Sequence, residues 1–137
     1  MHKRILDELR RDEGLRLESY QDVNDIWTIG YGTNLQVLTI SEDTAERWLR
    51  KEYDKAVEDS EAITEYQWLS KVRKAVIVML VYQLGKAGLM KFKRFWDGVR
   101  THDWQAAHDE LLDSKMARED SPLRARRHAK RFLADSW

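Results

Sequence analysis

Cysteine is absent from the 137 residues, which removes disulfides, a thiol nucleophile and thiolate metal ligands at once. Histidine is scarce and scattered: His2, His102, His108 and His128 form no HExxH-like pair, so neither a metal centre nor a metal cofactor is expected. The single proline, Pro122, follows Ser121 and reads as the first residue of a helix. No Pro/Gly-rich linker, internal repeat or low-complexity segment interrupts the chain. Long apolar runs are missing too. The longest, "AVIVMLVY", is too short to span a bilayer, and the charged "MHKRILDELRRDEG" lacks the apolar stretch of a secretory signal. The expectation is a protein made in the cytoplasm, without stable membrane insertion.

What is present is ordinary for a globular domain: 42% hydrophobic and 35% charged residues, enough for one compact domain with a modest core. The zero net charge hides an asymmetry. Residues 1–65 carry 16 acidic and 9 basic side chains, whereas residues 66–137 carry 8 and 15. The basic excess peaks in "LRARRHAKRF". Such a tract can meet nucleic acid, an anionic cell-surface polymer or the acidic half of its own chain. It sits in no recognition-helix or zinc-finger framework, so no nucleic-acid partner is expected.

Periodicity places the elements. Ile5, Leu6 and Leu9 share a face of a short N-terminal helix that Gly14 ends in the left-handed region. "LRLESYQDVNDIWTIGYGTNL" changes to alternation, turn chemistry at 22–25 and a β-branched, aromatic run, which predicts a small hairpin or sheet. Its glycines mark bends or close approach of another group. Ser41 caps a long amphipathic helix carrying Ala45, Trp48, Leu49, Tyr53, Ala56 and Val57. "WLSKVRKAVIVMLVYQLG" predicts a buried central helix, "LMKFKRFWDGVR" a shorter one, "WQAAHDELLDSKM" a helix capped by Asp103, and Ser121-Pro122 the start of the last. The fold class is therefore α+β and mainly α. A single domain 1–137 is expected, with a small β lobe (13–41), a connecting helix (42–60) and a helical lobe (61–137 plus 1–12), and a cleft where the lobes meet.

One stretch breaks a local rule. In "RDEGLRLESYQD", Asp12 and Glu13 fall in the last turn of the first helix, where the backbone's partial negative charge disfavours each by roughly a few tenths of a kcal/mol or more. Asp22 follows nine residues after Glu13. Two carboxylates in unlike surroundings are the equipment of a glycosidase, one protonated to donate to the leaving oxygen and one ionised. The helix end favours a protonated Glu13, while the turn around Asp22 favours a carboxylate. The residues alone leave a plainer reading open, in which Asp12 is solvated and Glu13 pairs with a basic helix.

The motif "RRDEGLRLESYQD" followed by "WTIGYG" resembles the T-even phage lysozyme family, glycoside hydrolase family 24. Downstream, "VYQLGKAGLMKF", "DWQAAHDELLDSK" and "SPLRARR" are similar to that family's later helices in the same order. The resemblance implies a lysozyme-like fold and a muramidase that cuts the β-1,4 bond between N-acetylmuramic acid and N-acetylglucosamine of peptidoglycan, without a cofactor. It implies Glu13 as general acid, and Asp22 and Thr28 as the groups that hold the attacking water, with inversion at the anomeric carbon. Tyr82, Gln83 and Asn34 become substrate contacts. Arg124 is implied to pair with Glu13 and Arg127 with Asp12, against the plainer reading that both arginines are solvated or bind cell-wall phosphate. A monomer acting on the wall, after another protein permeabilises the membrane, fits a phage endolysin. A particle-borne lysozyme domain and a catalytically silent wall-binding module are the alternatives, and retention of Glu13, Asp22 and Thr28 together argues against the second.

Two departures from the family pattern stand out. Thr33 follows Gly32 where a histidine is usual, which touches a stabilising ion pair rather than bond breaking. The stretch "TNLQVLT" is also short, implying a reduced small lobe with a strand missing and a more open groove. Trp48, Trp68, Trp96, Trp104 and Trp137 are expected in packing roles.

Overall fold

In the computed structural model, which describes residues 1–137, the chain forms two compact units, Met1–Ala45 and Glu46–Trp137. The first holds α1 (His2–Glu13) and a three-stranded antiparallel sheet in the order β1 (Arg16–Gln21), β2 (Trp27–Gly30), β3 (Thr33–Asn34). Helix α2 (Glu42–Glu61) begins here, with Ser41 Oγ accepting from the Thr44 amide at 3.2 Å as its cap. The chain's boundary between units falls inside this helix.

Helix α1 has the predicted stripe, but Ile5, Leu6 and Leu9 each remain 49% exposed and no residue of the helix is buried. Local pairs line it instead, Arg10 with Asp7 at 3.0 Å and Arg4 with Glu8 at 3.9 Å, exposed contacts worth little individually. Gly14 ends it with φ 69° and ψ 145°. That is a positive-φ extended conformation open essentially to glycine, not the left-handed helical one the spacing predicts.

The predicted hairpin is a sheet with a third strand of two residues, and an irregularity between Arg16 and Tyr20 shifts the β1–β2 register. Tyr20 faces Thr28, Gln21 faces Trp27, and Thr28 in turn faces Asn34. Thr33, in the place of the family histidine, is the β3 partner of Ile29.

The second unit is helical: α3 (Lys71–Leu84), α4 (Lys86–Met90), α5 (Lys93–Arg100), α6 (Trp104–Leu112) and α7 (Pro122–Ala134), with a 3-10 turn at Thr64–Trp68 and a π-helical turn at Met116–Asp120. Helix α3 starts later than its apolar run suggests, because Ser70 Oγ accepts from the Arg73 amide at 3.2 Å and fixes the N-cap there. "LMKFKRFWDGVR" is split between α4 and α5, and the helix capped by Asp103 stops at Leu112.

Val76, Ile77, Leu80 and Val81 of α3 form the centre of the core, met by Leu89, Phe95, Val99, Leu111, Ala125 and Phe132. Burial of each large apolar side chain is worth roughly 1.5–3 kcal/mol. Trp96 is buried and its indole N–H donates to Leu89 O at 3.0 Å. Trp48, Trp68 and Trp137 are instead 53%, 44% and 74% exposed and lie outside the core, Trp68 with its ring 4.8 Å from that of His102 and Trp137 under the Arg131 guanidinium at 5.3 Å.

Helices α3 and α7 run antiparallel and are fastened at both ends. Arg73 Nε donates to Phe132 O at 2.8 Å and Nη2 to Leu133 O at 3.3 Å, reading the orphan carbonyls of the α7 C-terminus. Its Nη1 lies 3.5 Å from Asp135, which also accepts from Ser70 Oγ, and its guanidinium stacks 3.9 Å from the Trp104 ring centroid. At the other end Gln83 Nε2 donates to Ser121 Oγ at 3.2 Å.

Candidate active site

In the first unit, Glu13, Asp22 and Thr28 are positioned by backbone devices rather than by a core. Glu13 is the last residue of α1, and Arg10 and Arg11 share its final turn, so the acids there have cationic neighbours that a reading of the acids alone overlooks. Asp12 lies 3.9 Å from Arg11 Nε. The Glu13 carboxylate reaches the β2–β3 turn, where a Cβ added to Gly32 would stand 2.6 Å from Glu13 Oε2. Gly32 also has φ 77°, which favours glycine there, and a side chain at this position would push the Glu13 carboxylate aside. The last glycine of "WTIGYG" thus lies directly against the candidate acid.

Asp22 and Thr28 share an anchor, the backbone of Ile26. Asp22 Oδ1 accepts from the Asn24 amide at 2.8 Å and from the Ile26 amide at 3.0 Å, an Asx turn that shapes 22–26. Thr28 Oγ1 donates to Ile26 O at 2.9 Å, and Thr28 is the one fully buried residue of the unit, at 4% exposure. Ile26 O also accepts from the Asp22 amide at 3.0 Å. A carboxylate and a hydroxyl are therefore held to one residue, Asp22 by the N–H of Ile26 and Thr28 by its C=O. Each keeps acceptor capacity, the second carboxylate oxygen of Asp22 and the lone pairs of Thr28 Oγ1. Asn34 sits opposite Thr28, its Oδ1 taken up by the Gln36 amide at 2.9 Å.

In the second unit, four sequence-predicted residues line one groove of about 840 Å³. Tyr82 and Gln83 come from the end of α3, and Arg124 and Arg127 from the first turns of α7. Tyr82 is 48% exposed, so it is a surface aromatic rather than core. Lys71, Lys74 and Arg131 add cations to the same groove. His128 also lines it, buried, with neither ring nitrogen partnered. Burial, then the charges of Arg127, Arg131 and Arg124, push its imidazole down from 6.5 to about 4. In the sequence His128 is one of four scattered histidines, and no spacing signal marks it. No group of three or more His, Asp or Glu side chains gathers in a way that could hold a metal ion. No helix is long and apolar enough to cross a membrane.

The phage lysozyme family matches residues 10–130. Over 140 aligned residues the chain is 25% identical to a protein of Dictyostelium discoideum described as "Probable T4-type lysozyme 1", covering 80% of this chain and 82% of that one.

Proposed function

The chain belongs to the phage lysozyme family, a glycoside hydrolase of lysozyme type, and we propose that it cuts the β-1,4 bond after N-acetylmuramic acid with inversion, using Glu13, Asp22 and Thr28. The observation that carries the reading is the common anchor of Asp22 and Thr28 on Ile26. The Thr28 hydroxyl hydrogen is committed to Ile26 O, so its oxygen can only accept from a water. Asp22 has an oxygen beyond the one that fastens its turn. A water donating one hydrogen to each keeps a lone pair free for the anomeric carbon. Asp22, as the ionised partner, accepts the proton that the water loses as its oxygen bonds to the anomeric carbon, while Glu13 delivers its own proton to the leaving glycosidic oxygen as the glycosidic bond breaks.

Gly32 gives Glu13 room without a competing side chain. Asn34, Tyr82 and Gln83 are assigned to the saccharide, Tyr82 by its exposed ring face and the amides by hydrogen bonding to acetamido groups. Arg124 and Arg127 supply guanidinium charge to the groove that Tyr82 and Gln83 line. The biological assignment is a monomeric endolysin that reaches the wall after another protein permeabilises the inner membrane.

Dye release from purified peptidoglycan, and clearing of outer-membrane-permeabilised Gram-negative cells, test the mechanism. Glu13→Gln is expected to lose roughly a hundredfold or more in rate with the melting temperature unchanged. The first-formed reducing end, read by proton NMR, is expected as the α anomer. Equal clearing by wild type and Glu13→Gln would overturn the assignment of the acid, and a β product would overturn inversion.

A further inference from the structure

A ladder of stacked side chains runs outward from the helical unit. The Arg73 guanidinium lies 3.9 Å from the Trp104 ring centroid, Trp104 stacks on His102 at 5.2 Å and 21°, and His102 meets Trp68 at 4.8 Å and 33°. The inner members are explained by the fold, since Trp104 packs edge-on against Phe132 at 5.8 Å and Arg73 joins α3 to α7. The outer two are not. Trp68 ends the 3-10 turn with 44% of its surface exposed, and His102, also exposed, stands between α5 and α6 with φ 55°. A lone exposed aromatic is ordinary and needs no explanation. A residue other than glycine held in the left-handed region costs free energy, and here that conformation goes with an imidazole set against an indole.

The support is firm. His102 N–H donates to Val99 O at 3.1 Å and Asp103 N–H to Gly98 O at 2.8 Å, which closes the turn. Arg100 Nε donates to Glu65 Oε1 at 2.8 Å and ties the end of α5 to the 3-10 turn. Glu65 and Trp68 are three residues apart on that turn, so their side chains eclipse and stand side by side. Arg100 Nη1 donates to Asp97 Oδ1 at 3.2 Å, which leaves Nη2 as a donor and the second carboxylate oxygens as acceptors. A flat apolar face is thereby edged with groups that both donate and accept. This combination matches a pyranose, whose C–H face is apolar and whose rim carries hydroxyls and amides. A platform already in place also spares the ordering entropy of binding.

We propose that Trp68, backed by His102, is a second glycan-binding site, which stacks one sugar ring of the peptidoglycan strand outside the groove lined by Tyr82 and Gln83. Trp68 takes no part in that groove. Peptidoglycan as the source of the sugar rests on the muramidase reading above, whereas the stacking of a pyranose does not.

The experiment measures retention of the full chain on insoluble purified peptidoglycan in the cold. Beside it, the Trp68 indole N–H resonance is followed while soluble β-1,4-linked N-acetylglucosamine oligomers are added. Trp68→Ala is expected to lower retention about three- to tenfold, the worth of one aromatic contact. Trp68→Tyr keeps a flat ring and should restore most of it. His102→Asn tolerates the left-handed backbone but removes the backing ring, and should weaken retention about twofold. Hydrolysis of the insoluble wall should fall more in Trp68→Ala than hydrolysis of a fragment too short to reach both sites. In wild type the Trp68 resonance should move saturably with the oligomers. Equal retention by wild type and Trp68→Ala would overturn the proposal. So would a resonance that no oligomer moves, since any lost retention would then belong to the stem peptides. The resonance is read in wild type, so it decides the matter even where Trp68→Ala folds poorly. A wild type that binds oligomers through Trp68 but cleaves no peptidoglycan would overturn the muramidase reading and leave the platform standing.

Discussion

The carboxylate of Glu13 and the α-carbon of Gly32 are packed so closely that a Cβ on Gly32 would lie 2.6 Å from Glu13 Oε2. The helix end and the β2–β3 turn are thereby fitted to each other without any buried apolar side chain between them. Gly32→Ala is expected to act twice. The positive φ of 77° costs roughly 1–2 kcal/mol for a side-chain-bearing residue, and the methyl displaces the flexible Glu13 carboxylate. Peptidoglycan hydrolysis should fall by about tenfold or more even well below the melting temperature, where the protein is fully folded. Activity at wild-type level in a folded Gly32→Ala protein would show that Glu13 tolerates displacement and would count against it as the acid.

Asp22 has two separable jobs. Its Oδ1 fastens the 22–26 turn through the Asn24 and Ile26 amides, while its charge is assigned to the water. Asparagine keeps an acceptor oxygen for the turn and removes the charge. Asp22→Asn is therefore expected to melt within a degree or two of wild type, with hydrolysis reduced by roughly a hundredfold. Asp22→Ala should lose activity and also about 1–2 kcal/mol of stability as two amides lose their partner. Urea denaturation beside dye release separates the two. Equal stability for both variants would mean that the turn does not depend on the side chain.

Much of this site is legible in the sequence because it is local. The misfit of Asp12 and Glu13 at a helix end, the turn chemistry at 22–25 and the glycines after Ile29 lie within a few residues of what they serve. The elements were legible for the same reason, since Ser41 and Asp103 cap as their types suggest. What escaped depends on long-range partners. The exposure of Trp48 and Trp137, the late start of α3 and the diversion of Ser121 from capping to Gln83 are set by tertiary contacts that periodicity does not encode. The unpartnered His128 is invisible for the same reason: nothing in "ARRHAKRF" says that the ring will be buried.

Arg73 carries a larger share of the second unit's stability than its surface-like identity suggests. Its side chain is 11% exposed and joins the α3 N-terminus to Phe132 O, Leu133 O and Asp135 while stacking on Trp104. Removing it leaves the last carbonyls of α7 and the Asp135 carboxylate without this cation. Arg73→Ala should cost about 2–4 kcal/mol in urea denaturation. Arg73→Lys should recover less than half, because an ammonium cannot reproduce the planar fork and stack. Full recovery by lysine would show that charge alone matters there.

His128 gives the protein a predictable weakness toward acid. Burial, then the guanidiniums of Arg127, Arg131 and Arg124, hold the folded imidazole at about 4, below the 6.5 of an unperturbed histidine. As pH falls through 6.5 the unfolded chain takes up a proton that the folded chain refuses until about pH 4. Stability is therefore full above about pH 7 and declines through this window, and the loss is complete below it. Allowing for water reaching the groove, its size is on the order of 1–2 kcal/mol. Leucine fills a similar volume and cannot titrate, so His128→Leu should leave stability at pH 7.5 within about 1 kcal/mol of wild type. It should hold that stability better at pH 4.5, with the two proteins' unfolding free energies diverging as pH is lowered. The carboxylates common to both cancel in that difference. Parallel curves for wild type and His128→Leu between pH 7.5 and 4.5 would mean that the folded protein admits the proton as readily as the unfolded chain.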